Sequence, residues 1–136
     1  MNNPAVIDTN VLVAALIAPR KDTPPAHVVR SMLKGGFPFV MSEALLAEYR
    51  DVLSRAKLRK AHGLAPADLE SLLVDLTQLA IMLAPALGPV APDPGDQHLW
   101  DLLAARDDLV LVTGDKLLLT SAMRQRILTP QQFLAM

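Results

Sequence analysis

Val6-Ile7-Asp8-Thr9-Asn10-Val11 decides how the chain is read. Apolar residues run into an aspartate, and apolar residues run out of it. The pattern predicts a buried strand ending on Asp8, then a turn, then a helix starting near Asn10. A carboxylate at the end of a core strand is costly to bury alone. Two readings offset that cost. In one, Asp8 or Thr9 caps the next helix, a common use of such residues. In the other, Asp8 helps to hold a divalent metal ion. The stretch alone leaves both open.

Outward from this stretch, composition sets limits. The chain has 136 residues and is 51% hydrophobic, enough for a sizeable core. One domain over residues 1–136 is expected. Without cysteine, disulfides and thiolate metal sites are excluded, leaving carboxylates and three histidines as candidate ligands. A net charge of −1 means that nucleic-acid binding would need basic residues gathered on one face. No targeting segment or membrane span is expected, because Asp8 and Asn10 interrupt the first apolar run and prolines break Leu76 to Pro92. A cytoplasmic protein is the default.

The pattern predicts strands at Ala5–Asp8 and Phe37–Met41, and helices over Val11–Ala18 and about Pro25–Lys34. Ser42 is a natural N-cap for a helix with Leu45, Tyr49, Val52 and Leu53 on one face. Glu48 lies beside that face. Ala65 to Leu83 reads mostly as one long helix with a leucine stripe, suited to core or dimer contact. Whether Ile81 to Leu83 ends that helix or forms a short strand stays open. A proline- and glycine-rich connection follows from Pro85 to Gly95. Next come a helix from Asp96 to about Arg106, a turn at Asp107-Asp108 and an uninterrupted strand over Leu109–Val112. A short helix over Lys116–Met123, an edge strand at Arg126–Leu128 and a terminal helix over Pro130–Met136 complete the chain.

Alternating strands and helices imply an α/β sandwich with a mostly parallel central sheet. Such sheets carry their functional crevice outside the carboxyl ends of the strands. Asp8 ends one buried strand, and Asp115 follows another by two residues. Asp96 opens a helix beside the sheet, and Glu48 can point to the same place. Four converging carboxylates repel one another. Mg²⁺ or Mn²⁺ reverses that repulsion, since hard divalent cations prefer oxygen ligands. One ion, or two ions about 4 Å apart, can activate water and stabilise a reacting phosphodiester.

Val6 to Val13, Ser42 to Tyr49, Asp93-Pro94-Gly95-Asp96, Leu111-Val112-Thr113-Gly114-Asp115 and Ile127-Leu128-Thr129-Pro130 together resemble a PIN domain over essentially the whole chain. The resemblance is greatest to stand-alone bacterial PIN proteins of the VapC-like toxin type. It implies a three-layer α/β/α sandwich and a metal-dependent ribonuclease. By motif match, Asp8, Glu48, Asp96 and Asp115 are the catalytic acids and metal ligands. Glu48 would hold a metal or orient the attacking water. Asn10 and Thr113 would fix the acids by hydrogen bonds. Asp93 suits the turn before Asp96. Two positions depart from the family pattern. Gln97 stands where asparagine is common, and Leu117 falls in a segment that often reads Lys-Asp-Leu-Leu.

Setting aside the four acids leaves thirteen basic residues against ten acidic ones. Arg20, Lys21, Arg55, Lys57, Arg59, Lys60 and Lys116 are the candidates to hold RNA phosphates. The histidines His27, His62 and His98 share no ligand-like spacing and read as structural or surface residues. RNA is the expected substrate, with an antitoxin protein and a second copy of the chain as expected partners. Gln97 and Leu117 motivate an alternative, a catalytically inactive PIN-fold module that binds RNA or protein. A phosphatase or phospho-receiver reading is weaker, because the residue two after Asp8 is Asn10 and no late receiver lysine is clearly placed.

Overall fold

The computed structural model describes residues 3–121 and 123–136, with Arg124 lacking a described side chain. Among these residues, five strands form one sheet: β1 (Ala5–Ile7), β2 (Phe39–Met41), β3 (Ile81–Met82), β4 (Val110–Val112) and β5 (Ile127–Leu128). Their spatial order is β3-β2-β1-β4-β5, and every ladder is parallel. The three innermost strands are almost wholly buried, as a parallel sheet covered on both faces requires.

Among the described residues, eight helices connect and cover the strands: α1 (Thr9–Ile17), α2 (Pro24–Leu33), α3 (Glu43–Leu53), α4 (Ala56–His62), α5 (Pro66–Leu79), α6 (Gln97–Leu103), α7 (Lys116–Leu119) and α8 (Pro130–Leu134). The result is an α/β/α sandwich. Helices α1, α2, α3 and α5 pack on one another, and α3 also meets α6. Trp100, Tyr49, Phe39, Phe133 and Leu12 are among the large side chains sealed in the core. Among the described residues, no helix is long and apolar enough to cross a membrane.

Local chemistry accounts for the boundaries. The Thr23 hydroxyl accepts from Ala26 N, and two prolines occupy the first turn of α2. Gly35, at φ +68°, lets the chain leave that helix. Strand β2 begins at Phe39 instead of Phe37, since Pro38 has no N–H to give a ladder; its carbonyl instead accepts from Ala5 N. The open reading at residues 81–83 resolves as a strand. Ala80 turns extended, and Leu83 N donates to Met41 O at 2.9 Å. The basic stretch forms a separate helix, α4, that periodicity did not single out, because none of its residues is buried. It stops at Gly63, φ +70°. Helix α7 ends at Leu119, short of the expected Met123; Ala122 lies outside the described residues.

Parallel pairing has one consequence for function. The segments that follow all five strands leave the same edge of the sheet. Asp8, Ser42, Leu83, Thr113 and Thr129 therefore share that edge.

Candidate active site

The register of β1 on β4 sets the site's floor. Ile7 pairs with Val112, so the next residues, Asp8 and Thr113, stand side by side. Asp8 N donates to Val112 O at 2.9 Å, continuing the ladder one step. The Thr113 hydroxyl donates to Asp8 Oδ2 at 2.8 Å. Asp8 Oδ1 accepts from Thr9 N at 2.7 Å and caps α1. The capping reading of Asp8 thus holds, but it does not exhaust the residue. Asp8 is only 6% exposed. Burial pushes its pKa up to about 6, and the charges of Asp96 and Glu48 push the same way. The bonds from Thr113 and Thr9 pull it down without winning.

Asn10 binds the two strand ends together. Its Nδ2 donates to Thr113 Oγ1 at 3.1 Å and lies 3.4 Å from Asp8 Oδ2. Its Oδ1 accepts from Gly114 N at 3.0 Å. Thr113 Oγ1 also accepts from Asp115 N at 3.0 Å, which turns the chain back toward the sheet edge. Asp115 Oδ1 then caps α7 by accepting from Leu117 N.

Glu48 comes from the second turn of α3. Its Oε2 accepts from the Thr9 hydroxyl at 2.5 Å. The next residue, Tyr49, is fully buried and donates its hydroxyl to Ile7 O at 2.5 Å. This contact fastens α3 to the residue just before Asp8. Burial, and then the charges of Asp8 and Glu48, raise the Tyr49 pKa, which keeps the phenol protonated. Asp96 occupies the start of α6, and its carboxylate accepts no hydrogen bond among the described residues. Burial raises its pKa, followed by the charges of Asp93, Asp115 and Glu48, with His98 opposing. Asp93 caps the 3₁₀ turn Pro94–Asp96 through Gly95 N, the turn-shaping role expected of it.

The four sequence-predicted acids are linked electrostatically through Asp96, which senses both Glu48 and Asp115, while Asp8 senses Asp96 and Glu48. Among the described residues, no three acids or imidazoles are drawn together tightly enough to hold an ion as they stand. The donor chemistry nevertheless suits a hard divalent cation. All four are carboxylates, and the most buried of them is held against its preference for a proton.

The two departures from the family pattern turn away from the acids. Gln97 Oε1 accepts from Ala91 N at 2.9 Å, and its Nε2 donates to Pro89 O and Asp101 Oδ1. Leu117 is 59% exposed and meets Asp115 through its backbone only. Of the basic candidates, Lys57, Arg59, Lys60 and Lys116 are exposed. Arg20 pairs with Asp22 and Arg55 with Asp51, both at the surface, where ion pairs are weak. The carbonyl of exposed Lys21 accepts from Arg30.

His27 is exposed. His62 is structural: its Nδ1 accepts from Leu64 N, and its Nε2 meets Leu53 O. His98 is half-buried, and its Nε2 lies 3.3 Å from Glu48 Oε2. A signal was available. His98 stands four residues before Leu102, on the buried stripe of α6.

A sandwich with carboxylates gathered along the carboxyl edge of a parallel sheet defines the class. The family model described as PIN domain matches residues 4–117, most of the chain. The chain belongs to the PIN domain family, whose members are generally metal-dependent nucleases. No curated protein matches it in sequence.

Proposed function

We propose that the chain, as one domain over residues 1–136, is a metal-dependent endoribonuclease that cleaves RNA phosphodiester bonds. The observation that carries this reading is the buried Asp8 carboxylate, kept beside Asp96 and Glu48 although burial and their charge both disfavour its ionised form. Retaining such a group only to cap a helix is wasteful. Asp8, Glu48, Asp96 and Asp115 would hold one or two Mg²⁺ or Mn²⁺ ions. A metal held there would supply an acidified water and polarise a phosphoryl oxygen. Thr113 and Asn10 orient Asp8, Thr9 orients Glu48, and Tyr49 anchors the backbone beneath them. Lys116, next to Asp115, and the cations of α4, with Arg20 and Lys21, would receive RNA phosphates.

Purified protein is expected to cut RNA in Mn²⁺ or Mg²⁺ and to stop in EDTA. Asp8→Asn and Asp115→Asn should each lower the rate at least about a hundredfold while circular dichroism stays unchanged. Cleavage that survives EDTA or either substitution rejects the proposal.

We further propose the toxin role of a toxin–antitoxin pair, with an antitoxin covering the acids and a homodimer as the assembled form. Exposed Val74, Leu79, Ile81 and Met82 between α5 and β3 favour a dimer face. Growth arrest on induced expression, relieved by Asp8→Asn, tests the toxin role. The alternative, an inactive PIN-fold module that binds RNA or protein, draws on the separation of the acids among the described residues. Calorimetry with Mn²⁺ separates the two: absence of binding near millimolar metal favours the module.

A further inference from the structure

Glu48 reaches the acid group from α3, an element away from the strand ends that set Asp8 and Thr113. A long glutamate side chain needs holding in such a place. Thr9 supplies one contact, to Oε2. The other neighbour of that oxygen is His98, whose Nε2 stands 3.3 Å away. His98 is 19% exposed at the side chain. Both its ring nitrogens are shielded from solvent, and neither makes a well-formed hydrogen bond. A shielded imidazole nitrogen without a partner is unfavourable. A leucine would fill the same stripe of α6 without that cost, so the ring's value lies in what it faces. It faces one oxygen of Glu48, while Oε1 accepts no hydrogen bond among the described residues.

We propose that His98 is a positioning residue: with Thr9 it clamps Oε2 of Glu48, holding that carboxylate beside Asp8 and Asp96 and leaving Oε1 to bind the divalent ion. The inference rests on the metal-dependent reading above. It ties α6, whose N-cap is Asp96, to α3, so that two acids from different elements are set against each other.

The test compares His98→Ala, His98→Gln and His98→Asn. The glutamine amide nitrogen reaches about as far as Nε2, and the asparagine amide only as far as Nδ1. Mn²⁺ affinity by calorimetry and kinetics on a short RNA are the readouts. His98→Ala should weaken Mn²⁺ binding and lower kcat about tenfold to a hundredfold, with KM for RNA unchanged. His98→Gln should recover most of both, and His98→Asn little. Thr9→Val combined with His98→Ala should cost less than the two changes added, since both hold one oxygen. Wild-type Mn²⁺ affinity in His98→Ala, or equal rescue by asparagine and glutamine, overturns the proposal. Should His98→Ala not fold, the glutamine and asparagine variants carry the comparison alone.

If the wild-type protein neither binds Mn²⁺ nor cuts RNA, the nuclease reading fails. The clamp is then read from the ¹³C resonance of the Glu48 carboxylate in metal-free protein. A shift in His98→Ala that reverses in His98→Gln supports it, and an unmoved resonance overturns it.

Discussion

Asp8 carries two opposed demands. Its Oδ1 caps α1, and its Oδ2 takes the Thr113 hydroxyl, both favouring the anion. Burial and two neighbouring acids favour the proton more strongly, so the folded pKa rises from 3.8 to about 6. A raised carboxyl pKa means that the folded state binds its proton more tightly than the unfolded chain does. Metal-free protein should therefore gain stability as pH falls from about 7 toward 4, by on the order of 2–3 kcal/mol from this group. Asp96 shifts in the same direction. The carboxylates held low by partners, such as Asp108 beside Arg106, oppose the trend only at more acid pH. Calorimetry in EDTA should give a Tm higher by about 5 °C at pH 5 than at pH 7.5, and Asp8→Asn should flatten the difference. A lower Tm at pH 5 contradicts the assignment. Tyr49 makes a second prediction at this scale. Tyr49→Phe strips the buried Ile7 carbonyl of its hydroxyl partner and should cost about 1–3 kcal/mol in urea unfolding.

Helix α6 is the element on which most depends. Its first residue, Gln97, and its fifth, Asp101, strap the preceding connection to the helix. Asp101 Oδ1 accepts from Gly88 N, and Asp101 O accepts from Ala86 N. Gly88 lies so close that a Cβ there would meet the Trp100 carbonyl oxygen at 2.5 Å and its carbon at 2.8 Å. Backbone cannot yield as a flexible side chain can. Gly88→Ala should thus lift the connection from α6 and destabilise the fold by about 1–3 kcal/mol. Gln97→Ala should cost about 1 kcal/mol and speed hydrogen exchange at Ala91 N, while cleavage of RNA changes little because Gln97 touches none of the four acids. A large loss of cleavage with unchanged stability would give Gln97 a role in the chemistry.

For the molecule as a whole, metal and fold are linked. An ion that binds only the folded protein stabilises it by mass action, about 2.7 kcal/mol at a hundredfold excess over Kd. Added Mn²⁺ should raise Tm by several degrees at pH 7.5 and less at pH 5, where protons compete for Asp8. An unchanged Tm at saturating Mn²⁺ speaks for the inactive module. The linkage follows from topology. Five parallel strands deliver their carboxyl ends to one edge, where Asp8 feels the charges of Asp96 and Glu48, and Asp96 feels that of Asp115.

Much of this was legible in the chain. Val6-Ile7-Asp8 and Leu111-Val112-Thr113 read as buried strands ending in polar groups because apolar runs of strand length have few other fates. Ser42 marked a helix start through local hydrogen bonding, which neighbours in sequence decide. What the chain could not disclose depends on partners distant in sequence. The register of β1 on β4 put Thr113 against Asp8. Packing of α3 on α6 brought His98 to Glu48, a contact that spacing within α6 does not encode. Gln97 looked like a weakened site residue and proved to be a strap. Local propensities and hydrophobic period are properties of a segment, so the sequence alone determined most of the elements and the acid types. Burial, and the charge crowding that gives those acids their chemistry, are properties of the assembled fold, and only the tertiary structure decided them.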